Sequence, residues 1–222
     1  LSGAEVPGAL IDRLRSFDEI VSWYGTARAE FREALIGLGV EARFLPALPW
    51  EGGVVHAVDF YLEQVGAKGG GVPRVPVPLK TVHGNARSAF AASTLRRDEG
   101  YAVIHPFSGS RKKNWPLDNF QTVAERLAGV MEVRWCAGLE EELDGAWRFE
   151  RTGGLIEFLA GARVYLGNDS GPTHLAAAVG TPVVAMFGPS DARVWAPRGE
   201  FVEVLNFQTR PNEVAEAVLR AG

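Results

Sequence analysis

Residues 163–189 read Arg-Val-Tyr-Leu-Gly-Asn-Asp-Ser-Gly-Pro-Thr-His-Leu-Ala-Ala-Ala-Val-Gly-Thr-Pro-Val-Val-Ala-Met-Phe-Gly-Pro. An apolar run stops at a polar, glycine-bearing turn, a helix of small residues follows, and a second apolar run ends in another glycine turn. The order is strand, turn, helix, strand, turn. In an open parallel sheet, ligands sit beyond the carboxyl ends of the strands, so Asn168 to His174 and Phe187 to Asp191 are expected to line one crevice. Gly171, Pro172 and Thr173 open the helix, where free backbone N–H groups and the positive end of the helix dipole favour an anion. The stretch therefore points to a phosphate-bearing ligand. Ala176, Ala177 and Ala178 let the helix approach the sheet closely, a packing role with no chemistry implied.

Outward from this stretch, short apolar runs alternate with amphipathic segments, the pattern of strand–helix units around a parallel sheet. In the second half the spacing predicts strands at Tyr101–Phe107, Val133–Cys136, Val164–Gly167, Pro182–Phe187 and Val202–Leu205. Helices are expected at Pro116–Leu127, Glu140–Trp147, Leu155–Ala160, Thr173–Val179 and Asn212–Arg220. In the first half, helices at Leu10–Arg15, Ala27–Leu38 and Val54–Val65 enclose strands at Glu19–Trp23 and Glu41–Leu45. Residues 66–98 shift composition, with Gly69-Gly70-Gly71, prolines at 73, 76 and 78 and a polar stretch to Asp98, as a domain boundary does. The expected organisation is a partial N-terminal Rossmann-like domain over residues 1–80, a linker over 81–98 and a nucleotide-sugar-binding domain over 99–222.

The chain has 222 residues, 46% of them hydrophobic, enough for a real core. A net charge of −4 provides no global basic field and speaks against nucleic acid, although Arg111, Lys112 and Lys113 form a local positive cluster. The single cysteine, Cys136, excludes an intrachain disulfide, and the four histidines show no metal-ligand spacing with it. No apolar stretch approaches the ~20 residues of a membrane span, and the N-terminus lacks the layout of a secretory signal, so a cytoplasmic location is expected.

The loop after the Tyr101 strand, His105-Pro106-Phe107-Ser108-Gly109-Ser110-Arg111-Lys112-Lys113-Asn114-Trp115-Pro116, can curl its backbone N–H groups around an anion while its cations neutralise it. A diphosphate suits Ser108, Gly109, Ser110 and Lys113. Lysine beside a leaving group would stabilise the negative charge that develops as a bond breaks. A solvated basic loop is the competing reading. Asp169, one residue past a strand end, could orient a ligand hydroxyl; capping of the next helix by Asp169 or Ser170 competes with that. His174 lies in the first helical turn, where a neutral ring could bond a phosphate or simply be a satisfied core residue. Glu140, Glu141 and Glu142 follow another strand end, where a carboxylate suits ribose hydroxyls. Most of that run is expected on a solvated helix face, and the residues alone do not choose among the three.

Taken together, Asn168-Asp169-Ser170-Gly171-Pro172-Thr173-His174-Leu175-Ala176-Ala177-Ala178, Gly180-Thr181-Pro182 and Phe187-Gly188-Pro189 resemble the signature of the ADP-heptose:lipopolysaccharide heptosyltransferases, glycosyltransferase family 9. His105-Pro106 through Lys113-Asn114-Trp115-Pro116 is similar to that family's second landmark. The resemblance covers residues 99–222 firmly and residues 1–80 weakly. It implies an α/β GT-B fold of Rossmann-like doubly wound parallel sheets, the C-terminal domain complete and the N-terminal, acceptor-side domain truncated in this chain. It also implies inverting, metal-independent transfer of a heptose-like sugar from an ADP-sugar to a lipopolysaccharide core or related glycan. The ADP-sugar is then a donor substrate and no cofactor is needed; a glycolipid acceptor implies peripheral contact with the inner membrane.

Carried over by position, the resemblance gives Lys113 the diphosphate, Asp169 the sugar, and Ser170, Gly171 and His174 the phosphate-binding helix start. Glu141 takes the ribose, with Phe187 and Gly188 also on the donor side. Two departures stand out. The landmark loop reads Pro-Phe-Ser-Gly-Ser where the family has Pro-Gly, and no Gly-Asp turn with the expected general-base aspartate occurs near residues 1–7. The competing hypotheses are a noncatalytic or truncated nucleotide-sugar-binding homologue lacking that base, and another GT-B-like enzyme such as a nucleotide-sugar epimerase.

Overall fold

Every strand in the structure runs parallel to its neighbours. The structure, a computed structural model, describes residues 6–24, 26, 28–49, 53–67 and 100–222, and the chain divides into two compact units, Leu1–Gly69 and Gly70–Gly222. The expected linker, 81–98, lies outside the described residues.

In the first unit the order is α1 (Gly8–Arg15), β1 (Val21–Ser22), α2 (Ala29–Gly37), β2 (Arg43–Phe44) and α3 (Ala57–Gln64). This is the expected helix–strand alternation with much shorter strands. β1 and β2 pair in parallel. The buried apolar residues described here are Val40, Ala57 and Phe60, while Phe17, Ile36, Leu48 and Val54 are exposed. Two strands offer little surface to cover, and a sheet of that size is marginal by itself.

The second unit carries β3 (Tyr101–His105), α4 (Leu117–Leu127), β4 (Val133–Trp135), α5 (Thr152–Ala160), β5 (Ala162–Asn168), α6 (Gly171–Ala178), β6 (Val183–Phe187), α7 (Ala192–Trp195), β7 (Val202–Asn206) and α8 (Pro211–Ala221). The five strands lie in the order β4-β3-β5-β6-β7. Because a parallel sheet is covered on both faces, its strands are almost continuously apolar. Successive residues supply opposite faces. Ala102, Ile104, Val164, Leu166, Val184 and Met186 join Phe120, Val123 and Leu127 of α4 and Val214 and Val218 of α8. Val103, Tyr165, Val183, Ala185 and Phe187 join Phe158 and Leu159 of α5 and Ala176 and Ala177 of α6 on the other face. The result is the three-layer α/β arrangement expected from the residues.

This order also marks where a ligand crevice is expected. From β3 the chain steps outward to β4 and then returns to the other side of β3 as β5, so the connections leave the carboxyl ends of β3 and β5 in opposite directions. Such a switch point is where open α/β sheets bind ligands. His105 and Gly167 face each other across the ladder there.

The expected helix Glu140–Trp147 does not form. Gly145 takes a positive φ of 69°, Trp147 bridges to Cys136 as a one-residue extension of the sheet, and Arg148 spends its guanidinium on the carbonyls of Glu141, Leu143 and Ala146. The turn at Gly145, the sheet contact of Trp147 and the guanidinium that gathers these carbonyls hold the chain out of a helical path, so an acidic, helix-prone composition yields a loop. Unexpected from the residues were a short 3₁₀ turn at Arg111–Lys113 and the single turn α7. Pro116 sits at the N-cap of α4, one residue before the position expected for it.

Gly167 is required by its neighbour. A Cβ there would stand 2.5 Å from the Tyr165 hydroxyl and 2.8 Å from its ring, because residues two apart on a strand share a face. Gly167→Ala should overpack this buried site and destabilise the protein by about 1–3 kcal/mol, read as a lower urea midpoint with an unchanged slope.

Candidate functional site

Asn168, the last residue of β5, is fully buried, and a buried amide is tolerated only when its polar atoms are paired. Its Oδ1 accepts the Trp115 backbone N–H at 2.9 Å, and its Nδ2 donates to the Pro106 carbonyl at 2.7 Å. One side chain thus holds both ends of the loop that follows β3. Trp115 locks the distal end further: its indole is buried edge-on to Phe120 and its Nε1–H donates to the Phe207 carbonyl at 3.1 Å. Lys113, two residues before this anchor, is delivered to Asp169, the residue after Asn168, with Nζ 2.9 Å from Oδ2. The two loops named from the sequence therefore converge.

Burial opposes ionisation of Asp169, but the side chains of His174 and Ser190 and the Lys113 ammonium outweigh it and lower its pKa to about 2. Lys113 is the direct partner; His174 Nε2, at 3.8 Å from Oδ1, is beyond hydrogen-bond length. A carboxylate so acidic is a poor proton acceptor near neutrality. Its roles are to hold the lysine and to accept hydrogen bonds from a ligand.

Ser170 occupies the N-cap of α6, yet neither it nor Asp169 caps the helix through a side chain. The Ser170 hydroxyl instead lies 3.1 Å from Thr173 Oγ1, which also meets the Tyr165 hydroxyl at 3.1 Å and donates to the Asn168 carbonyl. The helix start is thereby tied to β5 from below. Above it the space is open: a Cβ on Gly171 would meet nothing within 4 Å. His174 keeps 42% of its side chain exposed, so it is not a core histidine.

In the loop after β3, Ser108 Oγ lies 2.8 Å from the Ser110 carbonyl and 2.7 Å from the side-chain amide of Asn114. A single hydroxyl proton cannot serve two acceptors, so the amide is assigned with its NH₂ toward Ser108. The Ser110 carbonyl accepts the Lys113 N–H. Ser108 and Ser110 thus shape the turn, and Gly109 faces open space. Arg111 and Lys112 are exposed. Phe187 lies in the core and Gly188 packs beneath the Phe207 ring, where a Cβ would come within 2.3 Å. Neither brings a side chain to the site.

Of the three glutamates, Glu141 is the one turned inward. Its Oε2 accepts the Gly138 N–H at 2.6 Å and stands 3.7 Å from His105 Nε2. Because the segment is a loop, this selection was invisible to a helical reading. Asn168, Thr173 and Ser190 are expected from the sequence only as part of the crevice lining or the helix opening, and Trp115, Tyr165 and His105 are given no individual role there. Only Asn168 left a signal: an amide ending an apolar strand has to be satisfied by something. Among the described residues, no group of three or more His, Cys, Asp or Glu could hold a metal ion, and no helix is long and apolar enough to cross a membrane.

The model of glycosyltransferase family 9 (heptosyltransferase) matches residues 71–219. Lipopolysaccharide heptosyltransferase 3 of Escherichia coli (strain K12) is 32% identical over 117 residues, covering 44% of this chain and 33% of that protein. Lipopolysaccharide heptosyltransferase 2 of the same organism is 31% identical over 121 residues, covering 53% and 30%. The matched stretch thus spans about a third of these relatives' length. Among solved structures, E. coli heptosyltransferase WaaC with ADP aligns with a TM-score of 0.62 at 18% identity, over 96% of this chain and 76% of that one. E. coli ADP-heptose lps heptosyltransferase II aligns at 0.58 and 18%, over 87% and 68%. Likeness at this identity establishes the fold.

Since the Asp169 pKa is lowered in the folded state from an ordinary 3.8 to about 2, its stabilising effect is complete above pH ~4 and is lost as pH falls from there toward 2. Asp169→Asn should remove on the order of 1–2 kcal/mol at neutral pH, the discount reflecting the partial exposure of Lys113. The variant's denaturation midpoint should also vary less than that of the wild type across this acid range.

Proposed function

The chain belongs to glycosyltransferase family 9, and from that premise we propose that it transfers a heptose-type sugar from an ADP-sugar to a lipopolysaccharide core or related glycan. The observation that carries this reading is the Lys113–Asp169 ion pair at the β3/β5 switch point, which holds the ammonium two residues before the open start of α6 at Gly171. In such a transfer the bond between the anomeric carbon and the diphosphate oxygen breaks, and negative charge grows on the departing nucleotide. A fixed ammonium and a helix N-terminus stabilise that charge without reorganising at the moment of reaction.

The donor lies across this crevice in the proposed arrangement. Its diphosphate meets Lys113, Gly171 and His174, its sugar hydroxyls meet Asp169, and the ribose hydroxyls meet the free oxygen of Glu141. Attack by the acceptor hydroxyl on the face opposite the leaving group inverts the anomeric centre. Neutralisation of the diphosphate by Lys113 and the helix start makes the transfer metal-independent, with the ADP-sugar as a substrate and no cofactor. Asp169, already engaged with Lys113 and the donor sugar in this arrangement, is given no part in taking the acceptor's proton. A glycolipid acceptor would bring a cytoplasmic protein into peripheral contact with the inner membrane. The two E. coli relatives, both lipopolysaccharide heptosyltransferases, support this acceptor class.

Lys113→Ala should weaken ADP binding by about 1.5–3 kcal/mol, the range for a hydrogen bond to a charged group; calorimetry returning an unchanged affinity overturns the diphosphate site. Gly171→Val places its side chain in open space, so it should leave the melting temperature near that of the wild type while ADP affinity drops at least tenfold, about 1.4 kcal/mol. A folded variant that binds ADP normally removes the helix start from the site.

A further inference from the structure

At the carboxyl end of β3, His105 is buried between the two halves of the site with an imidazole that the reaction just described does not use. Its side chain is 6% exposed, its Nε2 lies 3.7 Å from Glu141 Oε2, and its Nδ1 is buried with no hydrogen-bond partner. The ring is held in place by the His105–Gly167 pairing of the sheet and by an edge-on contact with Phe107.

The charge of Glu141 bears on the tautomer. With the proton on Nδ1 the Nε2 lone pair would face a carboxylate, whereas with the proton on Nε2 an N–H faces it across 3.7 Å, a favourable electrostatic contact longer than a hydrogen bond. Glu141 sits on a loop, so no helix geometry sets its orientation; Oε2 is held by the Gly138 N–H on one side and faces the imidazole on the other. Oε1 has no partner among the described residues, and the side chain is 29% exposed.

We propose that His105 is a positioning residue for Glu141, its Nε2–H facing the carboxylate across 3.7 Å and favouring the orientation in which the second oxygen is presented to a vicinal diol, and that protonation of His105 weakens this acceptor. The inference rests on the preceding reading that Glu141 meets the ribose of the donor. An imidazolium would cancel much of the carboxylate's charge and draw Oε2 toward itself. The other titratable groups around it do not compete. Burial pushes the Cys136 thiol up to about 11 and raises the Tyr165 phenol, so both stay neutral, and Arg148 is occupied by backbone carbonyls. Burial lowers the pKa of His105 against the attraction of Glu141, so the neutral ring prevails at physiological pH and charges only in acid.

The test compares ADP with 2′,3′-dideoxy-ADP by calorimetry between about pH 5 and pH 7.5, with the change expected toward the acid end because burial lowers the pKa of this imidazole. The ratio of the two affinities cancels whatever pH does to the diphosphate, Lys113 and His174. The wild type should favour ADP by about tenfold at the upper pH, as expected for hydroxyls bonded to a carboxylate, with the preference shrinking in acid. His105→Phe should lose most of the preference and all of its pH dependence. His105→Gln, whose amide N–H reaches the Nε2 position, should restore the preference without the pH dependence. A wild type that does not distinguish the nucleotides overturns the ribose role of Glu141 and this proposal together. A wild-type preference that persists with its pH profile in His105→Phe, or a pH profile that persists in His105→Gln, overturns the proposal alone. Should His105→Phe fail to fold, the glutamine variant decides.

Discussion

The site exists because one buried amide is satisfied at both ends. Asn168 closes β5 in a place where neither water nor the strand ladder can pair its side chain, and the groups that do so are the Trp115 N–H and the Pro106 carbonyl of a loop more than fifty residues earlier in the chain. Removing either partner would strand a polar group in the core at about 1–3 kcal/mol, so the loop is fixed to the strand end. Everything chemical follows from that registration. Lys113 reaches Asp169 because Trp115 is anchored two residues further on, and Asp169 follows directly on Asn168.

Preorganisation is the common property of the residues around the crevice. Thr173 gathers the Ser170 and Tyr165 hydroxyls and the Asn168 carbonyl beneath the start of α6. Tyr165 can lie there only because Gly167 has no side chain. Asp169 holds the ammonium in place before any ligand arrives, and its low pKa keeps it charged across the physiological range. In the proposed transfer such an arrangement would offer an incoming anion a fixed cation and a fixed dipole, which is where electrostatic catalysis gains over water.

Several differences between the sequence pattern and the folded chain share a physical cause. Glu140–Trp147 has the composition of an exposed helix, and local propensity is a weak prior that tertiary contacts override. Here Arg148 claims the carbonyls and Trp147 completes the edge of the sheet. Phe187 and Gly188 stand at a strand end as Asp169 and Ser170 do after β5, but the strand's alternation turns Phe187 into the core and Phe207 occupies the space over Gly188. Adjacency in a motif did not distinguish a residue that faces the crevice from one that supports it.

What the amino-acid sequence determined unaided is whatever depends on periodicity and on residue type at a strand end. Apolar runs at parallel-sheet spacing, small residues at the opening of α6, and a lysine and an aspartate in the two flanking loops were enough for the fold class and for the convergence of the two loops. Only the tertiary structure decided which of three consecutive glutamates turns inward, that His105 stands behind it, and that Asn168 rather than a charged residue joins the two loops. Those facts depend on which groups remain unsatisfied once the sheet is assembled. That is a property of contacts between residues far apart in the chain, and no local pattern encodes it.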